Sequence, residues 1–109
     1  MKRKITLPQL KKYDITQKVL EALIDTESRS IIFSTVHRSK TASNLSTSLK
    51  IPLSSVYKKL SDLENLTLIQ VEKTVLSENG KHFKIYRSRI NKAEISIKKP
   101  EPTLTLSAN

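Results

Sequence analysis

From residue 14 to about residue 66, apolar side chains recur every third or fourth position; after that they recur every second position. The chain therefore divides into a helical stretch and a strand-forming stretch. In 14–25, Ile15, Val19 and Leu23 repeat at a spacing of four with Leu20 beside them, which predicts a first helix with Asp14 as its N-cap. A second helix is predicted over 26–37, capped by Thr26, with Glu27 in the first turn where the helix dipole favours an acid. Its Ile31, Ile32, Phe33 and Val36 point in several directions, the mark of a helix central in a bundle or buried in a dimer. A polar joint at 38–40 leads to Thr41, the cap of a third helix whose Ala42, Leu45 and Leu49 share a face. Pro52 opens a fourth helix, with Val56, Leu60 and Leu63 as its inward stripe and Leu53 at the flank.

Past Leu66 a regular pleat places Ile69, Val71, Lys73 and Val75 on one side of a strand, and a second strand from His82 to Arg89 puts Phe83 and Ile85 on one face. Between them Ser77-Glu78-Asn79-Gly80-Lys81 carries the chain's single glycine in an Asn-Gly pair, a hairpin signal because both residues tolerate positive φ. Residues 93–98 add a third strand or extend the hairpin. Residues 1–12 are basic, with Pro8 interrupting any early helix, and read as a flexible arm. Residues 99–109 contain two prolines and no clear period and read as a loose tail. The organisation expected is an arm at 1–12, one domain at 13–98 and a tail at 99–109.

Composition narrows the partners. Twenty Lys and Arg against ten Asp and Glu give a net charge of +10, which favours a polyanion: nucleic acid first, an anionic membrane surface second. The absence of cysteine excludes disulfides, thiolate metal sites and cysteine nucleophiles. The start has no apolar run of signal-peptide length, and no segment approaches the ~20 apolar residues of a membrane span. A soluble cytoplasmic protein associated with the nucleoid is expected. His37 and His82 lack partners at metal-site spacing, the carboxylates are scattered, and no Ser/His/Asp set stands out, so neither an enzyme nor a cofactor is expected. No small-molecule ligand site is evident.

The third and fourth helices together have the sequence form of a helix-turn-helix, which places one helix in the DNA major groove. The pattern T-A-x-x-L-x-x-x-L-x-I-P-x-S-x-V-Y-x-x-L-x-x-L-E-x-L-x-L-I, from Thr41 to Ile69, resembles the winged helix-turn-helix of small prokaryotic transcriptional regulators. The nearest group is the ArsR-like (arsenic-repressor-type) class, which has many archaeal members, and the resemblance covers about residues 14–90. It implies a mainly α fold with a small β-hairpin (α+β): a three-helix core, a two-stranded wing and a homodimer on double-stranded DNA. Lys50 and Thr67 stand where this family often has glycine, so both turns are expected to take other backbone angles. The metal-sensing branch uses cysteines, and that activity is not carried over.

In this reading the 52–66 recognition helix turns Ser54, Lys58, Ser61 and Asn65 outward, opposite its apolar stripe. Ser54 and Ser55 serve either as caps or as contacts to base edges and phosphates. Lys58 reaches a guanine or a phosphate, or is merely solvated. Tyr57 and Lys59 lie on the flanks, Tyr57 either against DNA or packed on the third helix. Thr41 stands at the start of the third helix. The 76–82 wing, with Asn79, Lys81, Lys84 and Arg87, lies along the backbone or minor groove, or is an ordinary surface hairpin. The leading function is a sequence-specific transcriptional regulator. The alternatives are a protein-interaction module of the transcription machinery and a low-specificity chromosomal architectural protein.

Overall fold

The computed structural model describes residues 7–109, with side chains from residue 15 onward. Its elements are α1 (Leu7–Ile24), α2 (Thr26–Ser34), α3 (Ala42–Leu49), α4 (Leu53–Asn65), β1 (Ile69–Leu76), β2 (His82–Ser88), β3 (Ile90–Ser96) and β4 (Thr103–Ala108). None of the described helices is long and apolar enough to cross a membrane.

The core forms where the helical stripes converge. Val19 and Leu23 of α1, Ile31 and Ile32 of α2, Ala42 and Leu45 of α3 and Val56, Leu60 and Leu63 of α4 pack together with Leu68, Ile69, Tyr86 and Ile90. Full burial of one such aliphatic side chain contributes roughly 1.5–3 kcal/mol, so α4's three inward residues hold that helix firmly to the domain. Among the described side chains of α1, Val19 is the first that is buried, whereas Ile15 stays exposed and does not join the expected stripe.

Helix boundaries differ from the sequence reading for local reasons. α1 starts at Leu7, so residues 7–12 of the expected flexible arm are helical. Pro8 falls in the first turn of α1 as described and does not interrupt the helix there. Residues 1–6 of that arm lie outside the described residues. Asp14 falls within α1 rather than at its cap. Asp25, not Thr26, caps α2 by accepting from the Ser28 amide at 2.9 Å. α2 ends at Ser34 instead of 37, because the hydroxyls of Ser34 and Thr35 donate to the Ile31 carbonyl, and that of Thr35 also to Ile32, competing for the last carbonyls.

Lys50 and Thr67 correct the expectation about the turns. Both residues adopt the left-handed conformation, at φ 57° and 60°. After α3 the Ile51 amide reaches back to the Ser46 carbonyl, and after α4 the Leu68 amide reaches Leu63. These six-to-one bonds satisfy helix-end carbonyls and demand a left-handed residue between helix and exit. The turn geometry thus persists without glycine. Thr67 carries the larger steric penalty because it is β-branched.

β1 and β2 form an antiparallel hairpin with a bulge at Glu72. The extra residue reverses the alternation: Ile69 and Val71 share the face of Tyr86 and Ser88, but beyond the bulge Lys73 and Val75 join Ile85 and Phe83 on the other face. The regular pleat expected from sequence is therefore broken at Glu72. At the hairpin end only Gly80 takes positive φ, at 77°; Asn79 does not. The Gly80 amide donates to the Ser77 carbonyl, which makes the loop a turn over Glu78 and Asn79 followed by a left-handed glycine, not a two-residue Asn-Gly turn.

β3 pairs with β4 in a second, separate hairpin. Residues 103–108 of the expected loose tail are thus a strand. Thr103, Thr105 and Ser107 alternate with Leu104, Leu106 and Ala108, a period of two that places the apolar set opposite Ile90, Ala93 and Ile95. Asn109 pins the end of β4, donating from its side chain to the carbonyls of Val36 and Ser88.

Candidate nucleic-acid interface

The surface that would meet DNA is assembled by three connections. α3 is fixed at its start by a reciprocal cap: the Thr41 hydroxyl oxygen accepts from the Asn44 amide at 3.1 Å, and the Asn44 side chain accepts from the Thr41 amide at 3.3 Å. Just before it, Lys40 and Tyr86 exchange two backbone hydrogen bonds of 2.9 and 2.8 Å, tying the entry of α3 to the middle of β2. α4 is oriented by its buried stripe and begins at Pro52 without a side-chain cap. The start of α3, the flank of α4 and strand β2 consequently enclose a cleft of about 250 Å³, lined by Thr41, Ala42, Ser43, Tyr57, His82, Phe83, Lys84 and Tyr86. Burial within this wall pushes the Tyr86 hydroxyl's pKa above its ordinary value.

The outward face of α4 is as the stripe requires. Ser54, Lys58, Ser61 and Asn65 are exposed and Ser55 is half-buried. Ser54 and Ser55 lie in the uncapped first turn, whose free amides and positive dipole end suit an anion. Tyr57 is 53% exposed and lines the cleft, so its ring faces the groove between α4 and the wing. The Thr41 hydroxyl accepts in the cap and keeps its own proton to donate. Asn79, Lys81 and Lys84 are exposed along the wing, with the Lys81 amide held by the Ser77 hydroxyl.

Two expected contact residues have other partners. Lys59 turns toward α2, where its ammonium meets Asp25 at 2.8 Å and Glu27 at 3.7 Å. Arg87 sits at the base of the wing and donates to the Val36 carbonyl at 3.1 Å and to Glu72 at 3.4 Å. It borders a different hollow, shared with Gln70, Glu72, Ser88, Arg89, Ala108 and Asn109. The structure brings Thr41, Tyr57 and Lys84 together in the cleft, while Lys59 and Arg87 brace the scaffold. Phe83 and Lys40 were missed by the sequence reading. Phe83's alternation was visible, but Lys40 carries no local signal for a bond to residue 86. Among the described residues no group of three or more His, Cys, Asp or Glu is placed to hold a metal ion.

The Lys59 contact and the α2 cap together lower the Asp25 carboxyl from 3.8 to about 2; the Lys59 hydrogen bond is the largest cause and the Ser28 amide follows. Asp25 is 42% exposed, so water screens the pair and its contribution is about 1 kcal/mol, below the full linkage value. A lowered folded pKa stabilises above the unfolded pKa. This contribution is therefore complete at neutral pH and disappears as pH falls from about 4 to about 2. Asp25→Asn, which keeps a capping oxygen but removes the charge, should lower stability by about 1 kcal/mol at pH 7. Urea melts from pH 7 to 2 check this: the gap between wild type and variant should close at the acid end.

No protein-family profile and no curated protein matches the chain significantly. The fold is similar to that of NolR from Sinorhizobium fredii, with 17% identity over 80% of this chain and 81% of that one and a TM-score of 0.60. It is also similar to that of HlyU from Vibrio cholerae N16961, with 17% identity over 72% and 78% of the two chains and a TM-score of 0.55. The chain thus has the winged helix-turn-helix fold, α+β, with β1–β2 as the wing.

Proposed function

We propose that this protein is a sequence-specific regulator of transcription that binds double-stranded DNA, with α4 in the major groove and the β1–β2 wing on the adjoining backbone or minor groove. The observation that carries this reading is the polarity of α4: Val56, Leu60 and Leu63 are buried, and Ser54, Lys58 and Ser61 stand exposed on the opposite side. Thr41, Ser54, Ser55, Tyr57, Lys58, Lys81 and Lys84 are the proposed contacts, with Asn79 at the wing tip. A net charge of +10 supplies the long-range attraction. The spacing from Thr41 to Ile69 supports the ArsR-like class, of archaeal type, and a cytoplasmic, nucleoid-associated protein without enzymatic activity follows from the role. The protein acts as a homodimer: Ile24 at the end of α1 and Ile95, Ile97 and Leu106 of the second hairpin are exposed apolar side chains that a second copy would cover.

A protein-interaction module would present an apolar face on α4, whereas that face carries hydroxyls and an ammonium group. Selection of bound sequences from random duplex DNA tests the proposal directly. A regulator discriminates by ~10³ or more, an architectural protein recovers the pool unchanged, and an interaction module recovers nothing. On a selected duplex, Lys58→Ala should weaken binding about tenfold or more with the thermal melt unchanged. Lys59→Ala should instead shift the melt, because its ammonium serves α2. Undiminished binding by the Lys58 variant in a mobility-shift assay would remove α4 from the interface.

A further inference from the structure

The outer half of the wing is not a plain basic ribbon. Beyond the Glu72 bulge, Val75 stands directly across from Phe83, and Leu76 stands across from His82. All three apolar residues are solvent-exposed: Val75 39%, Phe83 43% and Leu76 61%. The bulge puts Val75 on Phe83's face; a regular pleat would have kept it on the side of Ile69 and Val71. Lys73 shares the face of Val75 and Phe83, Leu76 and Lys84 lie on the opposite face, and Lys73, Lys81 and Lys84 are all exposed, with Glu78 at the loop as the one acid of the outer wing. Apolar side chains framed by cations describe a surface for a polyanion that offers apolar contact between its charges. A duplex does so between stacked bases.

Position and size favour the minor groove. Phe83 lines the same cleft as Tyr57 of α4, so the wing lies beside the recognition helix. An undeformed minor groove is about 6 Å wide, too narrow for a ribbon whose two strands are about 4.8 Å apart and carry side chains. Entry requires the groove to open, and apolar wedges open it by unstacking a base step and kinking the duplex toward the major groove.

We propose that the wing is a DNA-bending wedge: Phe83, backed by Val75 across the strand pair, inserts at a base step in the minor groove beside the α4 site, while Lys81 and Lys84 hold the flanking phosphates. The wedge rests on the DNA-binding mode proposed above. It predicts a preference for easily unstacked pyrimidine–purine steps at the flank, a position α4 never touches.

The test uses the full chain on a selected duplex of about 30 base pairs, long enough to register a bend, with donor and acceptor dyes at its ends and 2-aminopurine at the flanking step. Wild type should shorten the end-to-end distance and brighten the 2-aminopurine on binding. Phe83→Ala should keep affinity within about tenfold, because losing the insertion also removes the unstacking cost, yet leave the bound duplex straight. Phe83→Leu should retain most of the bend, and Val75→Thr should reduce it, giving a second variant at an exposed site. Lys58→Ala should lower affinity without altering the bend of the bound fraction. Tight binding by wild type to a straight duplex, or full bending by Phe83→Ala, would overturn the wedge and leave the regulator reading intact. Failure of wild type to bind any duplex would overturn both.

Discussion

Duplex binding is expected to fall by about 10³ when salt rises from roughly 50 to 200 mM. The magnitude follows from the number of free ammonium groups on the proposed face. Lys58, Lys81 and Lys84 are exposed, and two copies on a two-fold site would set about six of them against phosphates. Each neutralised phosphate releases condensed counterions, so the logarithm of affinity falls linearly with that of salt at about 0.9 per contact. A monomer with three contacts would lose only about 40-fold over the same range. Fluorescence anisotropy across a salt series measures both the mode and the copy number. A flat response would contradict the arrangement of lysines proposed here. Lys59 and Arg87 do not enter the count, since Asp25 and Glu72 neutralise them within the chain.

Leu60→Ala should destabilise the domain by about 2–5 kcal/mol, the largest single-residue loss expected in α4. Leu60 is fully buried, one helical turn beyond Val56 and three residues before Leu63. Truncation would leave a cavity between α4 and the other helices. Small domains are stable by only about 5–15 kcal/mol, so a value at the upper end would leave part of the population unfolded at growth temperature. Denaturant melts give the number. Because Leu60 has no exposed surface, any loss of DNA binding in this variant should track the unfolded fraction. A variant as stable as wild type would mean that α4 does not pack along its Val56–Leu60–Leu63 stripe, and the outward assignment of Lys58 would fail with it.

The bend experiment and the acid titration of Asp25 probe different layers of the molecule. Asp25 reports how α4 is braced against α2, and Phe83 reports what the wing does once α4 is docked.

Much of the architecture was legible along the chain because it is encoded locally. The spacing of three or four through Ala42, Leu45 and Leu49, and again through Val56, Leu60 and Leu63, forces two helices to bury one face each, and the cap at Thr41 and the proline at 52 set where they start. The change to a period of two after Leu66, with glycine at 80, marks the wing. The second strand of the distal hairpin is masked in the sequence by Pro100 and Pro102 at its approach, although Leu104 and Leu106 alternate with polar residues behind them. At Lys50 and Thr67 the helix-end hydrogen bonds impose left-handed angles on whatever residue stands there, so the absence of glycine conceals both turns in the sequence.

The sequence by itself determined which faces of α3 and α4 are apolar, and therefore that Ser54 and Lys58 point to solvent. Periodicity acts over a few residues and needs no knowledge of distant partners. Only the tertiary structure decided which cations are free. Lys59 differs from Lys58 because Asp25, 34 residues away, lies within hydrogen-bonding reach, and Arg87 is held by a carbonyl 51 residues away. Likewise, only strand pairing revealed the bulge that puts Val75 beside Phe83. Charge neutralisation and register depend on what the fold brings across the gap, and no local pattern contains that distance.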